Sequence, residues 1–342
     1  MRAFTCPGCS ALVPFESTRC LVSDTYLGYS RRDRAMLALH DGRSADGLVR
    51  CANAEIAACN WLTTAEQPLC DCCRLTRTRP ADDDTDALPM FARTEAAKRR
   101  LLYQLDDLAL PVVGREDDPE GGLAFDLLSS AHENVVIGHA SGVVTIDLAE
   151  GDDGYREQVR VRLAEPYRTM LGHLRHETGH WYWEVLVDRP GGTDAFRALF
   201  GDETVSYADA IEQHYGGEPP AGWEDEYVST YATMHPWEDW AETFAHYLHI
   251  RDTLDTAAAF GLAPAGATFD RRVLGPSGFD TIIEMWLPLT WALNMVNRSM
   301  GRDDLYPFVL PPAVLEKMRF IHTVIDEITS SPDKLAAVGG AA

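Results

Sequence analysis

Two histidines flank a glutamate in His176-Glu177-Thr178-Gly179-His180. On a helix, an offset of four residues brings both imidazoles to one face, a turn apart, where they can converge on one Zn²⁺. Glu177 then stands beside the ion. From there it can take a proton from metal-activated water and pass it to a leaving amine, which is the chemistry of peptide-bond hydrolysis with Glu177 as general base. Gly179 argues against a merely solvated helix face. Glycine inside a helix costs about 1 kcal/mol relative to alanine, so its presence implies close packing against another backbone or against the site.

A catalytic zinc needs a third protein ligand and an open corner for water. No third histidine follows His180 at the HExxHxxGxxH spacing. The strongest candidate is Glu238, in the stretch YATMHPWEDWAETF that starts at Tyr231. Glu238 and Glu242 share one face of a second helix, so Glu238 can ligate while Glu242 accepts the free N–H of a ligating histidine, His176. Asp239, His214 and His235 stay open as alternative third ligands. Trp237, Trp240, Phe244 and Tyr247 mark the helix as aromatic and buried, and a buried carboxylate pair without a cation would be costly.

All eight cysteines, at positions 6, 9, 20, 51, 59, 70, 72 and 73, precede residue 74. The N-terminus lacks the apolar core of a signal peptide, so a cytoplasmic location is expected, where thiols stay reduced and bind metal more readily than they pair. Cys6-Pro-Gly-Cys9 and Cys70-Asp-Cys-Cys73 have the spacing of metal knuckles.

These residues need elements to hold them. The cysteine module is read as residues 1–78, an acidic linker as 79–92, the domain with the HExxH motif as 93–330, and a flexible tail as 331–342. A helix is predicted over 93–108 with Thr94 as its cap, then strands over 124–128, 135–137 and 143–148. The motif helix is expected to start near Pro166 and stop at Pro190, with shorter helices over 190–225 and another from Trp237 to Arg251. The apolar run at 285–295 is too short to cross a bilayer and contains Pro288, which indicates a buried helix pair or a kinked helix.

With 46% hydrophobic and 24% charged residues, the chain of 342 residues has the balance of a globular protein of about two domains. The formal charge is −23, which disfavours nucleic acid and anionic membranes as partners. Residues 1–80 hold ten arginines, no lysine and eight acidic residues, so the acidity belongs to residues 81–342. Arg31, Arg32, Arg34, Arg74, Arg77 and Arg79 lend the module some positive character. A structural or protein-docking role is its plainer reading.

Taken together, FTCPGC, RCANAEIAACNWL, LCDCCRLTRTRP, RHETGHWYW and HPWEDWAETFAHYLH resemble the bacterial zinc-binding metallopeptidases that carry an N-terminal zinc-ribbon domain. The resemblance covers nearly the whole chain. Its catalytic part is also similar to the gluzincin-like, lethal-factor type of metalloprotease, in which a tyrosine lies seven residues before a ligating glutamate, as Tyr231 lies before Glu238. The resemblance implies an α+β fold, with a mostly helical zincin-like metallopeptidase domain and small sheet behind a cysteine-rich zinc ribbon. It implies that Tyr231 donates a hydrogen bond to the developing oxyanion, aromatic packing being its plainer role. It also implies that an edge strand near 143–148 aligns an extended peptide by strand addition.

In that family a second CxxC follows the first after about ten residues. Here the position reads Cys20-Leu-Val-Ser23, so one ligand is missing. The site of Cys6, Cys9 and Cys20 is therefore weakened, lost, or completed by Asp24, His40 or Cys72. Cys51, Cys59, Cys70 and Cys73 remain a complete tetrahedral set for a structural zinc, which would supply folding energy that so small a module lacks. One catalytic and one or two structural Zn²⁺ are expected, with a peptide or protein as substrate. A ribbon adaptor whose HExxH domain binds without turnover is the rival, and a zinc hydrolase of a non-peptide amide is a third reading.

Overall fold

A computed structural model of the protein describes residues 2–131, 135–152, 154, 169–262, 275–306 and 309–338. Contacts divide the chain into two compact units, Met1–Leu105 with Val113–Leu163, and Asp106–Val112 with Ala164–Ala342. The architecture is α+β, as expected, with small sheets confined to the first unit and helices dominating the second.

The first unit begins with antiparallel pairs of short strands: β1 (Phe4–Thr5) with β2 (Leu12–Val13), β3 (Tyr26–Ser30) with β4 (Ala35–Leu39), and β5 (Val49–Arg50) with β6 (Leu62–Thr63). Strands this short bury little, so aromatic rings gather the hairpins together. Phe4, Phe15 and Tyr29 pack with Tyr103, which comes from helix α2 (Ala87–Asp107), and Trp61 packs on Phe15 and Tyr29, the ring pairs of this cluster having centroid distances of 4.9 to 6.4 Å. A short helix, α1 (Asp71–Arg74), carries the last cysteines and leads into β7 (Thr76–Thr78). β7 lies parallel to β8 (Ala124–Leu128) in a sheet of order β7-β8-β10-β9, so the cysteine segment runs directly into that sheet.

Helix α2 starts earlier than the sequence implies, and residues 87–92 of the expected linker are its first turns. Asp84 holds that start, accepting from the Ala87 amide at 2.9 Å, while Thr94 is buried inside the helix and caps nothing. The expected strand at 135–137 is also displaced. The structure pairs β9 (Gly138–Ala140) with β10 (Val143–Asp147), because Ser141 and Gly142, at φ of 48° and 80°, form a two-residue hairpin turn that forces their immediate neighbours into register. β10 is therefore an inner strand between β8 and β9, and the proposed peptide-aligning edge at 143–148 is not an edge.

The second unit contains α3 (Met170–Trp183), which continues through a π turn at Glu184–Asp188, α4 (Thr193–Phe200), α5 (Tyr207–Gly216), α6 (Pro236–Ala259), α7 (Gly275–Ser299), α8 (Pro312–Thr329) and α9 (Pro332–Val338). Thr169 caps α3 by accepting from the Gly172 amide; Pro166, the expected first-turn residue, lies outside the described residues. At α6 the His235 side chain accepts from the Trp237 amide, Pro236 supplies a preset φ, and Glu238 and Asp239 meet the positive end of the helix dipole.

Helix α7 continues past Pro288 as one helix and is amphipathic, with Phe279, Ile282, Trp286 and Leu289 inward and Leu287 and Trp291 exposed. No helix among the described residues is long and apolar enough to cross a membrane. Within the expected tail, residues 332–338 form α9; residues 339–342 lie outside the described residues.

Candidate functional site

Helix α3 packs against α6 at Gly179. A Cβ built there would lie 3.2 Å from Ala241 Cα and 3.3 Å from Phe244 Cδ1, so only glycine lets the two backbones come this close without displacing a neighbour. The carbonyl of Gly179 accepts from Trp240 Nε1 at 2.8 Å, adding a hydrogen bond to the contact. This approach sets the distance between the histidines of one helix and the carboxylates of the other. It is the close packing that the glycine implied.

The ring centroids of His176 and His180 stand 5.0 Å apart. Glu238 Oε2 lies 3.0 Å from His176 Nε2 and 3.4 Å from His180 Nε2. All three groups are buried, with their donor atoms within 4.8 Å of one another. Neighbouring corners of a tetrahedron around zinc, with nitrogen and oxygen at about 2.0–2.1 Å, are about 3.3 Å apart, so the spacing suits that ion. The hydrogen-bond logic agrees. Glu242 Oε1 sits 2.8 Å from His176 Nδ1 and as a carboxylate can only accept, so Nδ1 carries a hydrogen and Nε2 is the nitrogen that faces the Glu238 oxygen. A ring nitrogen and a carboxylate oxygen converging in a buried space call for a positive charge between them, a proton or a metal ion.

The supporting partners are mostly invisible in the sequence. Tyr207, on α5, donates to Glu238 Oε1 at 2.9 Å, and Ser229 donates to Glu242 Oε2 at 2.7 Å. Trp237 packs on the His180 ring with centroids 4.1 Å apart. Of the alternative ligands, Asp239 is held by Lys317 on α8 at 2.6 Å, His235 is spent on the cap of α6, and His214 packs against Tyr231 and Tyr215. None of them belongs to the donor group. Asp239 and Glu238 are adjacent in sequence, but the helix turns them to different neighbours.

Glu177 is buried, and its Oε1 is 3.1 Å from His173 Nε2. Its Oε2 is buried without a hydrogen-bond partner. Burial works against its charge, but His173 and the nearby imidazoles outweigh it and hold the carboxyl below its usual range, so Glu177 is ionised. At His176, burial opposes protonation and is outweighed by Glu238 and Glu242, which push the imidazole well above its usual value. The same negative potential favours a metal cation at Nε2. Glu242 is brought down to about 2, burial again being outweighed, first by His176. Tyr231 lies in a 3₁₀ turn ahead of α6 with its ring 5.9 Å from that of His176. Burial and the charge of Glu238 push its hydroxyl far up, so it remains a donor.

In the first unit, Cys51, Cys59, Cys70 and Cys73 are buried and form one donor group. Cys59 Sγ is 3.7 Å from both Cys70 Sγ and Cys73 Sγ, against about 3.8 Å between neighbouring sulfurs around a tetrahedral zinc. Cys6, Cys9 and Cys20 form a second group, with Cys9 and Cys20 sulfurs 3.6 Å apart. Neither Asp24, His40 nor Cys72 joins it. Asp24 is paired with Arg19, and burial pushes the Cys72 thiol far up. These arginines are engaged by acids of the same unit: Arg31 by Asp71, Arg32 by Asp33 and Asp46, Arg74 by Glu116, Arg77 by Asp126 and Arg79 by Asp82. Arg34 lies over the Tyr103 ring.

Comparison with known proteins extends these observations. The family model described as "Putative zinc-binding metallo-peptidase" matches residues 87–324, and a zinc-ribbon domain model matches residues 3–84. A protein of Mycobacterium bovis and a protein from each of two strains of Mycobacterium tuberculosis, all named uncharacterized, are 58% identical to this chain over 97% of its length and 97% of theirs. No solved structure matches. With a buried His176, His180 and Glu238 donor group in one segment and cysteine clusters in the other, the chain belongs to the zinc-binding metallo-peptidase family and carries a zinc-ribbon domain ahead of its peptidase segment.

Proposed function

We propose that the protein hydrolyses peptide bonds in a peptide or protein substrate, using a zinc ion held by His176, His180 and Glu238. The observation that carries this reading is the buried Oε2 of Glu177, an ionised carboxylate oxygen with no hydrogen-bond partner, beside a three-donor group that leaves a tetrahedral corner vacant. When bound there, zinc polarises the scissile carbonyl and makes water acidic enough to act as a nucleophile near neutral pH. Glu177 Oε2 takes the proton of the attacking water and delivers it to the amine as the C–N bond breaks. Tyr231 donates its hydroxyl hydrogen to the oxygen on which charge develops, a donor fixed in advance by burial. Glu242 holds the Nδ1–H of His176, which keeps the other nitrogen aimed at the ion, and Ser229 steadies Glu242 in turn.

Two further ions fit the ribbon, one in the four-cysteine cluster and one at Cys6, Cys9 and Cys20. The gathering of cysteines into metal-donor groups suits a reducing compartment such as the cytoplasm. The pairing of these arginines with acids of the first unit favours structural or protein-docking work over nucleic-acid binding.

The test compares zinc content and peptide-library cleavage for the wild type and Glu177→Gln. We expect the variant to keep its zinc and lose cleavage. A variant that cleaves as well as the wild type, or a wild type that holds zinc and cuts no peptide, would overturn the reading.

A further inference from the structure

The two knuckles near the N-terminus are built alike, although only one has two cysteines. In Cys6-Pro-Gly-Cys9, the Ser10 amide donates to Cys6 O at 2.8 Å, the Cys6 amide donates to Ala11 O at 2.8 Å, and Ser10 has a φ of 60°. In Cys20-Leu-Val-Ser23, the Asp24 amide donates to Cys20 O at 3.0 Å, the Cys20 amide donates to Thr25 O at 2.8 Å, and Asp24 has a φ of 62°. Non-glycine residues seldom adopt this left-handed conformation, so its recurrence at the same place marks a retained design. The second loop keeps the backbone that presents two metal donors three residues apart, with a hydroxyl where the second thiol would be.

The side chains agree with the backbone. Cys6 Sγ is 3.4 Å from Ser23 Oγ, and Cys9 Sγ is 3.6 Å from Cys20 Sγ. Around a tetrahedral zinc, with sulfur at about 2.3 Å and oxygen at about 2.0 Å, a sulfur and an oxygen corner are about 3.5 Å apart and two sulfurs about 3.8 Å. Ser23 Oγ shares a 2.8 Å hydrogen bond with Thr25 Oγ1, so its hydrogen can rest there while a lone pair faces the ion. Gly8 makes room for this arrangement: a Cβ at Gly8 would stand 2.6 Å from Thr25 Oγ1. The Gly8 amide also donates to Cys6 Sγ at 3.3 Å, a contact that favours a thiolate.

We propose that Cys6, Cys9, Cys20 and the Ser23 hydroxyl form a three-thiolate, one-hydroxyl zinc site, and that it is the labile one of the two ribbon sites. A neutral hydroxyl is a weaker zinc donor than a thiolate, and Cys9 and Ser23 are exposed whereas Cys51, Cys59, Cys70 and Cys73 are buried.

Zinc content and zinc release to a chromophoric chelator, both measured on the full-length chain, test this. Cys9→Ala should lower the zinc content by one equivalent. Ser23→Cys, which restores a four-thiolate knuckle, should slow one release phase at least about tenfold, and Ser23→Ala should speed the same phase. His180→Ala should leave that phase in place, which separates it from the ion of the second unit. The proposal fails if Cys9→Ala holds as much zinc as the wild type. It fails equally if Ser23→Cys and Ser23→Ala release zinc at the wild-type rate.

Discussion

The four-cysteine cluster of the first unit and the His176, His180 and Glu238 group of the second both gather buried donors around a point, yet their surroundings carry opposite charge. Four thiolates on Zn²⁺ make a net dianion, and beside them α2 buries two cations. Arg99 donates through Nη2 to Ala57 O and Ala58 O at 3.2 Å each, and Cys59 leads the charges that keep it protonated against burial. Lys98 is fully enclosed with Glu95 at 2.6 Å. Two neutral imidazoles and one carboxylate would leave a net positive charge on the ion, and there the neighbours are the carboxylates of Glu177, buried, and Glu242, half-buried. The first set offers four protein donors and has no corner left. The second offers three, with an unpartnered carboxylate oxygen beside it. A closed site with counter-charge contributes to folding, while an open one can do chemistry.

The strongest way to break the comparison is Cys70→Ala. We expect it to cost one zinc and the protease resistance of residues 1–105, because so small a cluster of hairpins depends on its metal, for which apparent binding energies in zinc-finger peptides are about 10–16 kcal/mol. A variant as protease-resistant as the wild type would show that the cluster is not structural. Glu177→Gln tests the other side: kcat/KM should fall by about 10²- to 10⁴-fold with the fold and zinc content intact. Glu242→Gln should weaken zinc binding in the second unit by about 10- to 100-fold, read by competition with a chelator, and leave the cysteine-bound zinc unaffected. The smallest effect is expected from Arg99→Met, which removes a counter-charge while keeping bulk. Zinc release from the four-cysteine cluster should quicken about tenfold, and an unchanged rate would mean that the charge balance around the thiolates has no energetic weight.

How much of this could be read in advance depends on how far each relationship reaches along the chain. His176 with His180, and Glu238 with Glu242, are offsets of four on a helix, so their spacing predicts a shared face. His173 with Glu177 is the same offset and was there to be found. Gly179 was legible as a close contact, though not which helix it would meet. The misplaced features have local causes that composition does not expose: Asp84 begins α2 ten residues before Thr94, and a two-residue turn at Ser141 and Gly142 decides which residues become β9. Tyr207 and Ser229 left no signal, since nothing near them in sequence marks a partner 31 or 13 residues away.

By itself, then, the sequence determined which groups could act as metal donors and which of them stand one turn or one knuckle apart, because helix and turn geometry fix distances over three or four residues. Only the tertiary structure decided that Glu238 and not Asp239 faces the imidazoles, that Arg99 and Lys98 lie buried near Cys72 and Cys73, and that the Ser23 hydroxyl comes 3.4 Å from the Cys6 sulfur. Those choices rest on how helices and loops distant in sequence pack, and buried charge makes that packing selective: an unpartnered ion in the interior costs more than most single contacts return.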